Sequence, residues 1–129
     1  MARFNGKPFA AGRKDAFKLA GHALSKMGRR APLLTKAPYK DADGALAMIQ
    51  KAGFKDVVEM MDSIMGVGPD GRIAPASARP GDIVALAAPE PFGCSLTVAL
   101  DNGRVLGFDG TNRVCQPLIP HQFVAAWRS

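Results

Sequence analysis

A stretch rich in glycine and proline, residues 66–81, divides the chain into two parts with different hydrophobic periods. Before this stretch, apolar residues recur every three or four positions, which is the period of an amphipathic helix. Beyond it, short runs with β-branched residues are bounded by turn residues, which is typical of strands. Helices followed by an antiparallel sheet predict an α+β domain, with N-terminal helices packed on a small C-terminal sheet.

The first predicted helix spans residues 12–28. Its apolar face consists of Phe17, Ala20, Leu24 and Met27. Small residues such as Ala16 flank this face and allow the helix to lie close to a sheet. Gly28 and Pro32 end the helix, because glycine adopts a left-handed cap and proline cannot continue the hydrogen-bond ladder. A basic loop is then expected as far as Lys40.

Two further helices are predicted before the glycine-rich stretch. The second begins at Asp41 or Asp43, either of which can cap it, and stops at Gly53. It is expected to bury Leu46 and Ile49. The third has an apolar face made of Val57, Val58, Met61, Ile64 and Met65. We expect the methionines of this face to fill irregular gaps in the core.

The second part of the chain contains a strong hairpin signal at residues 101–104, Asp-Asn-Gly-Arg. Because Asn-Gly readily adopts the positive φ angles of a type I′ turn, residues 96–100 are predicted to pair with residues 105–108. Two further strands are predicted at residues 83–87 and 113–118. Residues 120–126 are predicted to form a short helical turn before the final Trp-Arg-Ser.

The composition fits one domain, because 129 residues with 47% hydrophobic content can bury one modest core. We interpret this domain as a basic arm with the first helix (1–40), two helices (41–65), a loop (66–81) and a sheet with a C-terminal turn (82–129).

No window approaches the roughly 20 apolar residues that span a bilayer, and no apolar signal segment follows the N-terminus. We therefore expect a soluble chain that does not use the ordinary secretory route, with Cys94 and Cys115 reduced and buried.

The positive charge is concentrated near the N-terminus. Residues 1–40 contain ten Lys or Arg and a single acid, Asp15, whereas the remaining residues contain seven basic and ten acidic side chains. Such an arm creates a local positive potential that could contact nucleic-acid phosphates or an acidic protein partner, although a solvated surface is the simpler interpretation. No helix-turn-helix pattern or zinc-ligand spacing accompanies it.

Several segments together resemble small phage-encoded relatives of the NlpC-type, papain-like cysteine peptidases. The most specific is residues 9–16, Phe-Ala-Ala-Gly-Arg-Lys-Asp-Ala, which opens the first helix. The others are Tyr39-Lys40 followed by Gly44-Ala45-Leu46, residues 51–54, residues 79–84 (Arg-Pro-Gly-Asp-Ile-Val) and residues 125–128 (Ala-Ala-Trp-Arg). The resemblance implies a helix laid on a small antiparallel sheet or partial barrel.

The resemblance also assigns positions to catalysis, and none of them carries the required group. The nucleophilic cysteine of the family corresponds to Ala16, whose methyl group cannot form a thiolate. The position of the histidine base corresponds to Ser95, with Cys94 beside it. The residue that orients the histidine corresponds to the vicinity of Gly107 and Phe108. We therefore predict no catalytic residues and a pseudoenzyme.

A relocated site is the main alternative. Its candidate groups are Cys94, Cys115, His22 and His121. Both thiols are predicted to lie in apolar strands, far from the helix N-terminus that would lower a thiol pKa, and His22 is predicted to lie on the polar face of its helix. The carboxylate pairs Asp41 with Asp43 and Glu59 with Asp62 are interpreted as capping and helix-surface groups. No metal or cofactor is expected.

The favoured hypothesis is a non-catalytic bacteriophage structural or assembly protein, located in the virion after synthesis in the host cytoplasm. Other virion proteins in a symmetric assembly are its expected partners, with DNA contacts through the basic arm and no membrane contact. One alternative is a cell-wall peptidase or amidase with a relocated thiol. The other is a small nucleic-acid-binding protein that contacts phosphates through Arg3, Lys7, Arg13, Lys14, Lys18, Arg29 and Arg30. The candidate interaction residues are Arg3, Phe4, Lys7, Phe9, Arg13, Lys14, Arg29, Arg30 and Trp127.

Overall fold

The computed structural model describes residues 4–7, 15–29, 31–35, 39, 41–66, 71–88, 92–101, 103–108, 115–119 and 122–128. Its helices are α1 (Ala16–Lys26), α2 (Pro32–Thr35), α3 (Ala42–Lys51) and α4 (Val57–Met65). A short 3-10 turn (Pro75–Ser77) precedes the strands β1 (Ile83–Ala87), β2 (Cys94–Ala99), β3 (Val105–Phe108), β4 (Cys115–Leu118) and β5 (Phe123–Trp127). This order confirms the predicted α+β class. No helix in the described ranges is long and apolar enough to cross a membrane.

Aspartate caps fix where the three longer helices begin. Asp15, Asp41 and Asp56 each have extended backbone angles, and each carboxylate accepts a hydrogen bond from the amide three residues later. These caps satisfy backbone N–H groups that have no partner within the helix. The cap at Asp41 decides between the two predicted starts of the second helix.

The basic loop predicted after the first helix is wrong in part, because Pro32–Thr35 forms α2. Proline suits the first turn of a helix, where its missing N–H has no intrahelical acceptor to lose.

The buried faces of α3 and α4 also differ in detail from the prediction. Met60 is fully buried on α4 while Val58 and Ile64 are half-buried, and Ala45 rather than Leu46 joins Ile49 in the core.

The helical turn predicted at residues 120–126 is also wrong, because Phe123–Trp127 is the strand β5. This strand pairs antiparallel with β1, with Ile83 opposite Trp127 and Ala85 opposite Ala125. Adjacent alanines favour a helix locally, but pairing with a buried strand outweighs that weak preference.

The five described strands form one sheet in the order β4-β3-β2-β1-β5. The predicted hairpin is confirmed, since Val98 pairs with Leu106 and Ala99 with Val105. The helices cover one face, called here the inner face, where Cys94, Leu96 and Val98 of β2 join the main core. The opposite outer face carries a second, smaller apolar cluster, made of Val84, Leu86, Ala99, Val105 and Ala126 with Ile73, Ala78 and Leu118 beside it.

The sheet cannot be flat, because its two outermost strands follow each other directly in the chain. Leu118 ends β4 and Phe123 begins β5, so five Cα–Cα steps, at most about 18 Å, separate them. The outer strands of a flat five-stranded sheet would lie about 19 Å apart before any shift along the strands. Consistent with coiling, Cys115 of β4 and Trp127 of β5 belong to the same buried cluster.

Candidate functional site

The N-terminus of α1 is organised by a buried carboxylate. Asp15 is only 4% exposed, and its Oδ1 accepts the amide of Lys18 at 2.9 Å. Its Oδ2 accepts the hydroxyl of Tyr39 at 2.6 Å, and the Lys18 ammonium lies 5.1 Å from the centre of the Tyr39 ring. Burial, followed by the bond to Asp15, raises the pKa of the Tyr39 hydroxyl well above its usual range. Asp15 therefore caps the helix and anchors Tyr39.

Ala16 lies immediately after this cap, at the first helical position. It is half-buried and packs against the main core. The next residue, Phe17, makes edge-to-face contacts with Tyr39 (6.3 Å between ring centroids) and Phe92 (5.3 Å). The helix terminus that would support a thiolate therefore bears a methyl group, and the next residue in the chain belongs to a group of aromatic rings.

The sheet positions assigned by the resemblance point in different directions. Ser95 pairs with Leu86, whose side chain belongs to the outer cluster, so Ser95 faces away from α1. Cys94 is the residue at this end of β2 that faces the helices. On β3, Phe108 packs against the inner core, and Gly107 lies against Thr97, where an added Cβ would come within 2.6 Å of the threonine Cγ2.

Both thiols are free and buried, as predicted. Burial raises the pKa of each to about 11, and the nearby Asp56 carboxylate adds to the shift at Cys94. Cys94 lies on β2 and Cys115 on β4, with β3 between them in the sheet. Neither thiol therefore occupies the electropositive setting that activates a nucleophile.

The native protein is expected to resist alkylation by iodoacetamide at pH 7.5. A thiol with a pKa near 11 carries at least about a hundredfold less thiolate than a free cysteine, so labelling should slow by that factor or more. Mass spectrometry of timed samples measures the rate, and the chain unfolded in urea is the control in which both thiols react. Rapid labelling of native Cys94 or Cys115 would revive the relocated-thiol hypothesis.

Two candidate interface residues belong to the core instead. Phe4 and Trp127 are each 1% exposed, so neither can anchor a partner, and their predicted role is wrong. Phe4 packs on His22 with 5.4 Å between ring centroids, and this half-buried histidine therefore does not lie on a free polar face. Aromatic side chains near chain ends frequently close a core in this way.

The remaining candidates are only partly covered by the structure. Lys7 is exposed, and its backbone extends the sheet, since Cys115 N donates to Lys7 O at 2.8 Å. Arg29 is half-buried. The other candidate residues lie outside the described residues, and these are Arg3, Phe9, Arg13, Lys14, Arg30 and His121.

Asp62 is the residue whose role the sequence concealed most. It is 8% exposed and accepts three hydrogen bonds from two partners: Arg72 donates through Nε at 2.9 Å and Nη2 at 2.5 Å, and Trp127 donates through Nε1 at 2.9 Å. The Arg72 bonds, helped by Trp127, lower the carboxyl pKa despite its burial. The predicted surface role is wrong. The sequence contains one indication of this buried role. Asp62 is a charged residue that lies between Met61 and Met65, which belong to the buried face of the helix.

A second aspartate organises the entry to β1. Asp82 is 2% exposed; its Oδ2 accepts the amide of Arg79 at 2.8 Å and lies 3.4 Å from Nε of Arg128. Arg128 also donates to the carbonyl of Ser77 at 3.2 Å. The segments 79–84 and 125–128 are thereby joined through side chains as well as through the pairing of β1 with β5.

A family model described as "domain of unknown function (DUF6950)" matches residues 1–129, the whole chain. The chain belongs to the DUF6950 family. No curated protein and no solved structure matches it significantly.

Two surface clefts of this DUF6950 chain are lined by residues that the structure describes. The first, called here the α4 cleft, has a volume of about 390 Å³ and lies between the start of α4, the turn before β2 and Val124 of β5. The second has a volume of about 340 Å³ and lies beside Met27 at the end of α1. Among the described residues, no group of three or more His, Cys, Asp or Glu is arranged to hold a metal ion.

Proposed function

We propose that this protein is a non-catalytic structural or assembly protein of a bacteriophage particle, at the tail or the head-to-tail junction, on a degenerate NlpC-like fold. One observation supports this most directly: Ala16 occupies the start of α1, where the resemblance places a nucleophilic cysteine. A methyl group offers neither a lone pair nor an ionisable proton for covalent catalysis.

The surrounding groups support the same proposal. Ser95 faces away from α1, and Phe108 contributes only an apolar ring to the inner face. The Asp15 carboxylate already accepts hydrogen bonds from Lys18 and Tyr39. Since nucleophile, base and orienting group must act together, the loss of all three leaves binding as the simplest remaining function.

The expected partners are other virion proteins in a symmetric assembly, with packaged DNA available to the basic arm. The test is mass spectrometry of phage particles purified by density gradient and washed at high salt. We expect the protein to remain with the particles in a fixed ratio to a known structural protein. Its absence from purified particles would contradict the proposal.

The variant Ala16→Cys is expected to leave the protein without hydrolytic activity. A thiol restored at the start of α1 would still lack a base on the inner face of β2 and an orienting group on β3. Release of amines from peptidoglycan fragments measures the activity, and an active NlpC-type enzyme is the positive control. Cleavage by this single variant above the wild-type background would show that a working base is present.

A further inference from the structure

We propose that residues 4–7 form a strap that opens as a unit and, when open, exposes a strand-pairing site on the outer edge of β4. The strap is a tight turn, because the amide of Lys7 donates to the carbonyl of Phe4 at 2.9 Å and Gly6 has a φ of 80°. The movement belongs to this chain alone, so the proposal does not depend on a role in the virion.

The backbone of the strap is joined to β4 through Cys115. The amide of Gly6 donates to the carbonyl of Cys115 at 2.7 Å, and the amide of Cys115 donates to the carbonyl of Lys7 at 2.8 Å. Because both bonds involve the same residue of β4, they form and break together. Asn5, Gly6 and Lys7 are exposed, so these three residues add little buried apolar surface.

Phe4 supplies the side-chain anchor of the strap. It is 1% exposed and belongs to the main core, where its ring packs on His22 of α1 with 5.4 Å between the centroids. A buried aromatic ring contributes far more burial than the exposed residues that follow it. A chain end held at so few points opens locally at a lower free energy than the whole fold.

The strap covers the outward-facing backbone of β4. This strand is an outermost strand of the sheet, and Gln116 pairs with Gly107 of β3. Because backbone groups alternate in direction along a strand, the backbones of Cys115 and Pro117 both point away from β3. Proline has no N–H, so within Cys115–Leu118 the amide of Cys115 is the donor available to a further strand. Opening the strap leaves this amide and its carbonyl unpaired on a sheet edge, which a segment with the same chemistry can cover.

The two thiols report the opening separately. Cys115 is fully buried and belongs to the same cluster as Phe4, so loss of the anchor uncovers it. Cys94 lies on β2, and β3 separates this strand from β4. Local opening of the strap therefore exposes Cys115 and leaves Cys94 covered, whereas global unfolding exposes both thiols.

The first experiment measures alkylation of each thiol in the full chain by iodoacetamide, with peptide mapping to separate Cys115 from Cys94. The variant Phe4→Leu keeps an apolar anchor but loses part of its buried contacts, and labelling of Cys115 is expected to become about tenfold faster. Labelling of Cys94 is expected to stay within about twofold of the wild-type rate.

The matched control is Ile49→Val, which trims a side chain equally buried on α3 and is expected to leave the rate at Cys115 unchanged. Equal acceleration of both thiols in Phe4→Leu, or the same acceleration of Cys115 in Ile49→Val, would show that only global unfolding exposes the thiol. Either result, or an unchanged rate at Cys115 in Phe4→Leu, would overturn the proposal.

The second experiment tests the pairing site with a peptide that has the sequence of residues 3–7, acetyl-Arg-Phe-Asn-Gly-Lys-amide. A tethered strap has an effective concentration on the order of millimolar, so the peptide is added to Phe4→Leu at about 5 mM. We expect labelling of Cys115 to slow by at least about threefold, and a peptide with alanine in place of phenylalanine to leave the rate unchanged. Failure of the first peptide to slow labelling, or equal slowing by both peptides, would contradict a pairing site on β4.

Discussion

Replacing Asp62 with alanine is expected to lower the free energy of unfolding by about 3 kcal/mol. The carboxylate joins three elements, since α4 carries it, Arg72 reaches it from the loop and Trp127 reaches it from β5. Its removal leaves the indole N–H of Trp127 buried without an acceptor, because this side chain is 1% exposed. It also leaves the Arg72 guanidinium, about a third exposed, without its carboxylate partner.

Urea unfolding monitored by Trp127 fluorescence measures this effect, because the only tryptophan of the chain is the affected donor. The matched control is Asp43→Ala, which removes an exposed aspartate from the first turn of α3 and should change stability by less than about 0.5 kcal/mol. Equal effects of the two substitutions would mean that the Asp62 contacts do not form in solution.

The same carboxylate should make stability depend on acid pH. Because the Arg72 and Trp127 bonds hold the pKa of Asp62 below its unfolded value of about 3.9, the stabilisation is fully present above that value. It is lost as pH falls through the lower pKa of the folded state. In Asp62→Asn, which cannot ionise, the decline of unfolding free energy between pH 5 and 2 should be shallower than in the wild type. Parallel curves would contradict this assignment.

The features that could be predicted from the sequence are those encoded by neighbouring residues. The Asn-Gly turn predicted the β2–β3 hairpin, and the spacing of Phe17, Ala20 and Leu24 predicted a helix packed on the sheet, because each signal lies within a few residues. The start of α3 remained open between Asp41 and Asp43, since both residues can cap and only the folded backbone selects one.

The features that could not be predicted depend on partners distant in the chain. Asp62 and Trp127 are 65 residues apart, and neither shows from its neighbours that it will meet the other. The strand β5 forms because β1 offers a buried edge, whereas its local Ala-Ala pair suggests a helix. The α4 cleft likewise combines the start of α4 with β2 and β5, so no local motif marks it.

Several segments that carry the resemblance to NlpC-type proteins supply contacts that hold the fold together. Asp15 of the first segment binds Tyr39 of the second, and Asp82 of the strand-entry segment faces Arg128 of the last. These contacts position helices and strands without requiring a thiol. Under the proposed ancestry, such residues would be kept for stability even though position 16 carries an alanine.

Gly21→Ala is expected to lower the free energy of unfolding by about 1 to 2 kcal/mol, although alanine favours a helix by about 1 kcal/mol over glycine. Gly21 is buried where α1 meets α2, and an added Cβ would lie 2.7 Å from Thr35 Cγ2 and 2.9 Å from Leu34 Cβ. The carbonyl carbon of Leu34 would lie only 3.2 Å away, so a rotation of Thr35 alone cannot relieve the crowding. Backbone movement of α2 must absorb the rest.

Thermal unfolding followed by circular dichroism measures this effect. The matched control is Ser25→Ala on the exposed face of α1, which is expected to change stability by less than about 0.5 kcal/mol. The double variant Gly21→Ala with Thr35→Ser removes the closest methyl group but keeps the hydroxyl that donates to Ala31, so it should recover part of the loss. A gain of about 1 kcal/mol in Gly21→Ala, the value of helix propensity alone, would mean that α2 does not pack against α1. Because α2 is the helix that the sequence did not predict, this substitution tests the packing that only the folded structure reveals.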